Sequence, residues 1–152
     1  MNKVAVKFRA VKNDVKIPTK STEGAACYDA YCPTTEHPLM PGENRVINLG
    51  FQVEVPRGYE LQVRCRSGYA VRGIIVANGV GCIDSDYRGD VGVILQNLSN
   101  AIQPINKGDR VCQLKLSLAP EIEWEEVDVI QETQRGSGGF GSTGGASEQV
   151  QP

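Results

Sequence analysis

The sequence predicts an all-β fold, namely a closed, jelly-roll-like β-barrel followed by a flexible, glycine-rich C-terminal arm. Apolar residues recur with a period of two, which is the spacing of side chains on one face of a strand. Turn-forming glycines and prolines separate these runs, and only one short stretch has helical character. A chain of 152 residues is long enough for one such domain with its own core.

Five runs show the alternation most clearly. They are Val4, Val6 and Phe8; Leu49, Phe51, Val53 and Val55; Leu61, Val63 and Cys65; Val91, Val93 and Leu95; and Leu114, Leu116 and Leu118. A sixth run contains Ile122 and Trp124, then Val127 and Val129, and it changes face between them as a bulge or bend would produce.

Punctuation between the runs predicts turns at Pro41-Gly42, Pro56–Gly58, Asn78-Gly79 and Lys107–Asp109. The segment from Ser67 to Arg72 predicts one or two helical turns with Ser67 as the N-cap. Strand-forming residues end near Glu132. We therefore expect a barrel domain over residues 1–132, an arm over 133–144 and a disordered tail over 145–152.

Bulk composition argues against several function classes. The formal net charge of −2 provides no global basic field that would capture a nucleic acid or an anionic membrane. The five cysteines include no CxxC pair, and the first residues alternate rather than form an apolar signal segment, which predicts a reduced, cytoplasmic protein. His37 is the only histidine, and its Pro-flanked stretch is a poor basis for a zinc site or a catalytic pair.

The arm contains the highest concentration of groups that could bind a ligand. Arg135-Gly-Ser-Gly-Gly-Phe-Gly-Ser-Thr-Gly144 combines a guanidinium, a ring and hydroxyls with glycines that let backbone N–H groups approach an anion. Arg135 suits phosphates and Phe140 suits a base, which favours a nucleoside polyphosphate as ligand. A disordered Gly/Ser tail is the alternative interpretation. A Walker-type phosphate loop is disfavoured because its lysine is missing.

The segment from Gly79 to Asp90 places three carboxylates in a hairpin-like stretch. A calcium loop does not fit, because Arg88 occupies a ligand position and Leu95 replaces the closing glutamate. Solvated acids in a turn are the simplest alternative. Asp84 follows the apolar pair Cys82-Ile83, so we expect it to be partly buried and able to act as a base.

Three further segments carry weaker signals. Arg66-Ser67-Gly68 leaves a strand and enters the short helix, so its N–H groups and the Arg charge form a candidate phosphate site. Asp29 either contacts a divalent cation through water or caps a turn. Gln113 lies on an apolar strand and faces either a site or solvent.

In chain order these five segments resemble the five motifs of the trimeric dUTPases, the deoxyuridine triphosphate nucleotidohydrolases. The match runs from Ala25 to Gly144 and is most specific in Gly81–Gly89 and Arg135–Gly144. Departures such as Cys27 in place of Gly and Cys65 in place of Pro remove no group expected to do chemistry. The resemblance implies a homotrimeric jelly roll with active sites at subunit interfaces. It also implies Mg²⁺-assisted hydrolysis of dUTP to dUMP and pyrophosphate, which clears dUTP from the nucleotide pool and supplies dUMP for dTMP synthesis.

The same resemblance implies roles for single residues. Asp84 would orient and deprotonate the water that attacks the α-phosphorus, and Asp29 would touch Mg²⁺ through water while the phosphates chelate it. The phosphates would be held by Arg66, Ser67, Gly68, Gln113, Arg135, Ser142 and Thr143. The uracil and deoxyribose would be held by Asn78, Gly81, Cys82, Ile83, Tyr87, Phe140 and Gly141, with Phe140 stacking on the uracil.

Two other functions stay open at this point. A dCTP deaminase, or a bifunctional dCTP deaminase and dUTPase, is similar in fold, although the Phe-containing arm argues against it. A regulatory binding protein that uses the nucleotide as a switch is compatible with the same residues.

Overall fold

The computed structural model describes residues 3–140, and strands dominate it. The strands are β1 (Lys7–Ala10), β2 (Tyr28–Tyr31), β3 (Asn44–Asn48), β4 (Phe51–Glu54), β5 (Tyr59–Arg64), β6 (Ile74–Val76), β7 (Gly81–Ile83), β8 (Gly92–Asn97) and β9 (Arg110–Leu118). The helix α1 (Ser67–Ala70) lies between β5 and β6.

Three antiparallel sheets make up the barrel. The largest has the order β2-β9-β5-β7, and its strands β5 and β9 pair from Tyr59 opposite Leu118 to Arg64 opposite Gln113. The second sheet has the order β3-β8-β6, and β1 pairs with β4 in the third. This all-β, jelly-roll-like arrangement confirms the predicted fold class.

The predicted alternating runs supply the core. Phe51 and Val53 are buried while Gln52 between them is partly exposed, and Val93 and Leu95 are buried in the same alternating way on β8. Fully burying one such side chain contributes about 1.5–3 kcal/mol. The four predicted turns are also present. The period-two pattern therefore identified the strands that face the interior.

Three strands, β2, β3 and β6, lie outside both the alternating runs and the hairpin-like segment that contains β7, because their sequences carry little alternation. β2 reads Tyr-Asp-Ala-Tyr and places a charged residue at a buried position. β3 is mostly polar, and β6 is a continuous apolar run of three residues. Hydrogen bonds to longer neighbours form these strands, so the local sequence alone does not reveal them.

The short helix begins with a different cap from the one predicted. Arg66 rather than Ser67 is the N-cap, and it makes no side-chain cap bond. The N–H groups of Tyr69 and Ala70 both donate to Arg66 O at 3.0 Å, so the amides of Ser67 and Gly68 precede the first intrahelical bond. No helix among residues 3–140 is long and apolar enough to cross a membrane.

A second compact unit begins at Ile122, and the expected bounds of the barrel domain and the arm stay predictions. The strand predicted from Ile122 to Val129 is wrong, because residues 122–140 contain no strand. The alternating side chains are exposed instead, Trp124 to 87%. Strand propensity expresses packing against neighbours, so an alternating run does not form a strand by itself. The tail predicted over 145–152 lies outside the described residues.

Candidate active site

Asp29 is the centre of a charge cluster on the largest sheet, and its side chain is only 3% exposed. Its Oδ1 accepts hydrogen bonds from Arg66 Nε at 3.3 Å and from Gln113 Nε2 at 3.2 Å. Its Oδ2 accepts from Ser21 Oγ at 2.7 Å and from Arg110 Nη1 at 3.2 Å. One carboxylate thus gathers two guanidiniums, an amide and a hydroxyl.

Strand register brings these residues together. Asp29 on β2 lies opposite Gln113 on β9, and Gln113 in turn lies opposite Arg64 on β5. Arg66 follows the end of β5, so its side chain reaches Asp29 from the far side of β9. The sheet therefore assembles three of the residues singled out in the sequence, Asp29, Arg66 and Gln113.

The hydrogen bonds of the cluster favour the ionised form of Asp29. Burial alone would raise the pKa of this carboxyl. Hydrogen bonds from Ser21 and Gln113 and the charge of Arg66 outweigh burial and hold the pKa below its ordinary value of 3.8. Asp29 is therefore a fixed anion, and its loss would leave two arginines without their partner.

Arg66 keeps donors available although it is anchored. Its Nε donates to Asp29, and its Nη1 donates to Arg110 O at 2.9 Å. A guanidinium has five N–H groups, so roughly three remain for an anion. The side chain is 21% exposed, which lets those donors reach a ligand. The neighbouring amides of Ser67 and Gly68 belong to exposed residues and add further donors.

Asp29 does not fit the role of a metal contact in this arrangement. A carboxylate offers about four lone-pair sites, and hydrogen bonds from Arg66, Gln113, Ser21 and Arg110 already take four. No group of three His, Cys, Asp or Glu side chains suited to a metal occurs among residues 3–140. The contact of Asp29 with Mg²⁺ through water therefore stays a prediction that the geometry does not support.

The hairpin that contains β7 brings a second set of predicted residues together. Gly81 is buried, and a Cβ placed on it would lie 3.1 Å from Asn78 Nδ2, so the Asn78 amide packs over a bare backbone. Cys82 points outward, and a hydrogen bond with Glu60 raises the pKa of its thiol. Ile83, partly buried, pairs with Leu61. An amide edge beside backbone that carries no side chain is suited to a planar, polar ring.

Tyr87 is held in one orientation beside this hairpin. Its hydroxyl donates to Asp90 O at 3.0 Å. A Cβ on Gly89 would come within 2.4 Å of the Tyr87 hydroxyl oxygen, so only glycine leaves room for the ring there. The carboxylate of Asp90 accepts from Asn48 and Gln52, both at 3.0 Å, and this fixes the segment. The ring is 42% exposed and available to a ligand.

Asp84 is exposed, so the expectation of partial burial is wrong for this chain. It lies immediately after β7, where the chain turns and Tyr87 N donates to Asp84 O at 3.2 Å. Within residues 3–140 its carboxylate has no hydrogen-bond or ion-pair partner. The pairing of β7 with β5 ends at Ile83, so Asp84 lies beyond the ladder and its carboxylate is in solvent.

The Asp29 cluster and Asp84 lie at opposite ends of β5. Ile83, which precedes Asp84, pairs with Leu61, the third of the six residues of β5, so Asp84 lies toward the start of that strand, whereas Arg66 follows its end. At about 3.3 Å per residue, on the order of 15 Å separates Leu61 from Arg66 along the chain direction. In a single chain the predicted base and the predicted phosphate clamp are therefore far apart.

Part of the predicted arm falls within the described residues. Arg135 Nε donates to Gly138 O at 2.8 Å, and Gly138 N donates to Arg135 O at 3.1 Å, which forms a tight turn. Phe140 is fully exposed and has a positive φ of 50°, a conformation uncommon for a bulky residue. Gly141, Ser142 and Thr143 lie outside the described residues, so their predicted roles stay predictions.

Two residues of the cluster escaped the sequence analysis. Arg110 starts a strand and stands three positions before Gln113, a spacing that normally places two side chains on opposite faces. Ser21 lies in a polar loop without any motif. The only signal for Arg110 in the sequence was its position, as a charged residue directly before the apolar run that begins at Val111.

Comparison with known proteins identifies the chain's relatives. A family model described as dUTPase matches residues 13–144. The deoxyuridine 5'-triphosphate nucleotidohydrolase of Roseobacter denitrificans is 47% identical over 134 residues, which cover 86% of this chain and 88% of that protein. The protein of the same name from Anaplasma marginale is 41% identical over 146 residues, which cover 95% and 99%.

Solved structures share the fold. A mutant dUTPase of Staphylococcus bacteriophage 80alpha, solved with dUpNHpp, superposes with a TM-score of 0.80 at 22% identity and covers 93% of this chain and 99% of its own. A mutant dUTPase of S. aureus phage phi11, described with a structural Mg(II) ion, has a TM-score of 0.73 at 24% identity, with 83% and 98% covered.

Proposed function

The chain belongs to the dUTPase family, and from that premise we propose that it hydrolyses dUTP to dUMP and pyrophosphate by in-line attack of water on the α-phosphorus. One observation carries the mechanism: the buried Asp29 fixes Arg66 and Gln113, while Asp84 stays exposed and unpartnered in the described chain. The first group binds charge, and the second accepts a proton.

The phosphates bind to donors that the Asp29 cluster leaves free. Arg66 presents its remaining N–H groups, and Gln113 presents its second amide hydrogen. The amides of Ser67 and Gly68 add backbone donors at the start of α1. Because the cluster is already oriented, these donors face the phosphates without a large reorganisation when charge develops.

Asp84 is the proposed general base. Its carboxylate accepts a proton from the attacking water and orients that water in line with the leaving pyrophosphate. An exposed carboxylate without a partner among residues 3–140 can approach the substrate of a neighbouring chain. General-base catalysis of this kind typically contributes 10²–10⁴-fold in rate.

Each site is proposed to take Asp84 and Arg66 from different subunits of a homotrimer. The proposed base and the proposed phosphate clamp both have to reach one triphosphate, whereas Asp84 lies toward the start of β5 and Arg66 follows its end. Exposed apolar residues also support assembly: Ile122, Trp124 and Ile130 are each at least 68% exposed, a surface that a partner would cover. Sites shared across closed symmetry account for both features.

Selectivity for uracil and deoxyribose is assigned to the hairpin. The Asn78 amide and the backbone of Gly81, Cys82 and Ile83 match the polar edge of uracil, and cytosine presents the opposite donor pattern. Unpaired buried groups make such a mismatch costly. Tyr87 packs against the deoxyribose where a 2′-hydroxyl would need space, so UTP is a poor substrate.

Magnesium is proposed to arrive with the triphosphate. When chelated by the three phosphates, Mg²⁺ offsets part of their negative charge. The filled carboxylate of Asp29 offers no free acceptor, so we assign no protein ligand to the ion.

The arm completes the site. Arg135 adds a guanidinium to the phosphates together with Ser142 and Thr143, and Phe140 stacks on the uracil ring beside Gly141. Closure of a glycine-rich segment over the nucleotide excludes water from the reacting charges and strengthens each interaction. The exposure of Phe140 supports this role, because such a ring gains from covering a base.

For the compartment we propose the cytoplasm. All five cysteines are free thiols, and two of them, Cys32 and Cys112, are buried. Free thiols without disulfides are typical of proteins in a reducing environment.

A product analysis tests the function. The protein is incubated with dUTP, dCTP, dTTP or UTP and Mg²⁺ in ¹⁸O-labelled water, and the products are identified by mass. We expect pyrophosphate from dUTP, strong preference over the other nucleotides, and the label in dUMP. Label in pyrophosphate would place the attack on the β-phosphorus and sink the mechanism, and ammonia from dCTP would identify a deaminase.

A further inference from the structure

The Asp29 cluster contains two residues that the proposed mechanism does not use, Arg110 and Ser21. We propose that Arg110, supported by Ser21, is a positioning residue: it fixes Asp29 so that Arg66 and Gln113 are aimed at the triphosphate. This inference rests on the proposed function, because it concerns the same site. Neither residue is required to touch the substrate.

An irregularity in β9 aims Arg110 at the cluster. The pairing of β2 with β9 shifts between Ala30 and Tyr31: Ala30 lies opposite Cys112, but Tyr31 lies opposite Arg110. Val111 is therefore an extra residue in the ladder, as in a β-bulge. Both Val111 and Cys112 are fully buried. The bulge turns Arg110 onto the same face as Gln113.

Arg110 is connected to Arg66 by two routes. Its Nη1 donates to Asp29 Oδ2 at 3.2 Å and to Ser21 Oγ at 3.3 Å, and Asp29 Oδ1 holds Arg66. Its backbone oxygen also accepts from Arg66 Nη1 at 2.9 Å. Ser21 donates to the same Oδ2 at 2.7 Å. One carboxylate oxygen is thus anchored by Arg110 and Ser21, and the other orients Arg66 and Gln113.

Loss of both Arg110 and Ser21 would leave the Asp29 carboxylate held at only one of its two oxygens. A carboxylate held at one oxygen alone is free to turn about its Cβ–Cγ bond, and Arg66 and Gln113 would follow that motion. Misplacement by about 1 Å can cost up to 10²-fold in rate. Loss of the anchor should therefore affect catalysis at the phosphates while the hairpin that binds uracil is unaffected.

Four variants separate positioning from general damage. Arg110→Ala removes the anchor, Arg110→Lys keeps the charge without the planar fork, and Ser21→Ala removes one hydroxyl from an exposed loop. Arg45→Ala is the matched control, because Arg45 also pairs with a carboxylate, Glu43, but stands on β3 outside the cluster. Each variant is assayed for kcat and KM with dUTP, for binding of dUpNHpp and deoxyuridine, and for Tm.

We expect Arg110→Ala to lower kcat/KM for dUTP by about tenfold or more and to weaken dUpNHpp, while the Kd of deoxyuridine stays within twofold. Arg110→Lys and Ser21→Ala should show smaller losses in the same direction. The Arg45→Ala control should keep its kinetics within twofold. If Arg110→Ala does not fold, Arg110→Lys and Ser21→Ala decide by the same criteria.

Two results overturn the inference. One is a folded Arg110→Ala variant with kcat/KM within twofold of the unmodified protein. The other is equal weakening of dUpNHpp and deoxyuridine, which would mean that Arg110 only supports the fold. Failure of the proposed function looks different, because the unmodified protein itself would then release no pyrophosphate from dUTP.

Discussion

Asp29 and Asp84 are the same side chain in opposite surroundings. Asp29 is 3% exposed, and its four acceptor positions are filled by Arg66, Arg110, Gln113 and Ser21. Asp84 is exposed, and its carboxylate is unpartnered among residues 3–140. The first carboxylate has no capacity left for chemistry, whereas the second has no role in holding the fold.

This contrast separates stability from activity. A filled, buried carboxylate fixes the donors around it, and its removal is costly to the folded state because charges are left unpaired. An exposed, unpartnered carboxylate costs nothing to remove from the fold, but it is free to accept a proton from water. Substitution of Asp84 should therefore affect activity without affecting stability, whereas substitution of Asp29 should lower stability.

The largest effect is expected from Asp84→Asn. Removal of the base should lower kcat by roughly 10²-fold or more, while stability stays within about 0.5 kcal/mol because the residue is exposed. Steady-state kinetics and thermal unfolding measure the two quantities, and binding of dUpNHpp should survive. Near-normal turnover would show that Asp84 is not the base and would make Asp86 the candidate.

Asp29→Asn should lower stability, which Asp84→Asn leaves unchanged. The amide keeps the shape of the side chain but replaces one acceptor oxygen with a donor that faces Arg66 or Arg110, so we expect a loss of about 1–3 kcal/mol in the free energy of unfolding. Urea unfolding measures this loss. Asp86→Asn is the control, because Asp86 is an exposed acid. Unchanged stability would mean that the cluster contributes nothing to the fold.

A smaller effect is expected on the stability of the protein at low pH. The pKa of Asp29 is lowered in the folded chain, so its contribution to stability is fully present above the unfolded pKa of about 3.9 and is lost as pH falls through the lower folded value. The stability difference between the unmodified protein and Asp29→Asn should therefore shrink below about pH 4. A difference that is constant with pH would contradict the lowered pKa.

The sequence predicts those strands whose apolar residues alternate with polar ones, and it does not predict β2, β3 or β6. Runs such as Phe51-Gln-Val53 alternate, so the core strands were predictable. β2 was not, because its buried Asp29 breaks the alternation and is compensated only by residues distant in the chain. The segment after Ile122 alternates without forming a strand. Alternation shows that a segment can pack as a strand, but it does not show that a neighbouring strand is present to pair with it.

The residues of the candidate site also fall into those that the sequence indicates and those that it does not. Arg66, Gln113 and Asp84 stand within recognisable motifs, so they could be proposed as site residues from residue type and order. Arg110 was not, because its orientation depends on the bulge at Val111, which is a property of the pairing with β2. The separation of Asp84 from Arg66 likewise depends on strand register and has no signature in the local sequence.

The most direct test of the account mixes two inactive variants. Asp84→Asn and Arg66→Ala chains are co-expressed, the mixed trimers are verified by mass, and dUTP turnover is measured. If each site takes Asp84 from one subunit and Arg66 from another, random equal mixing makes roughly a quarter of sites intact, and the mixed trimers should regain activity that neither parent shows. If both residues of a site come from one chain, every site carries a defect. Verified mixed trimers as inactive as their parents would contradict the shared site.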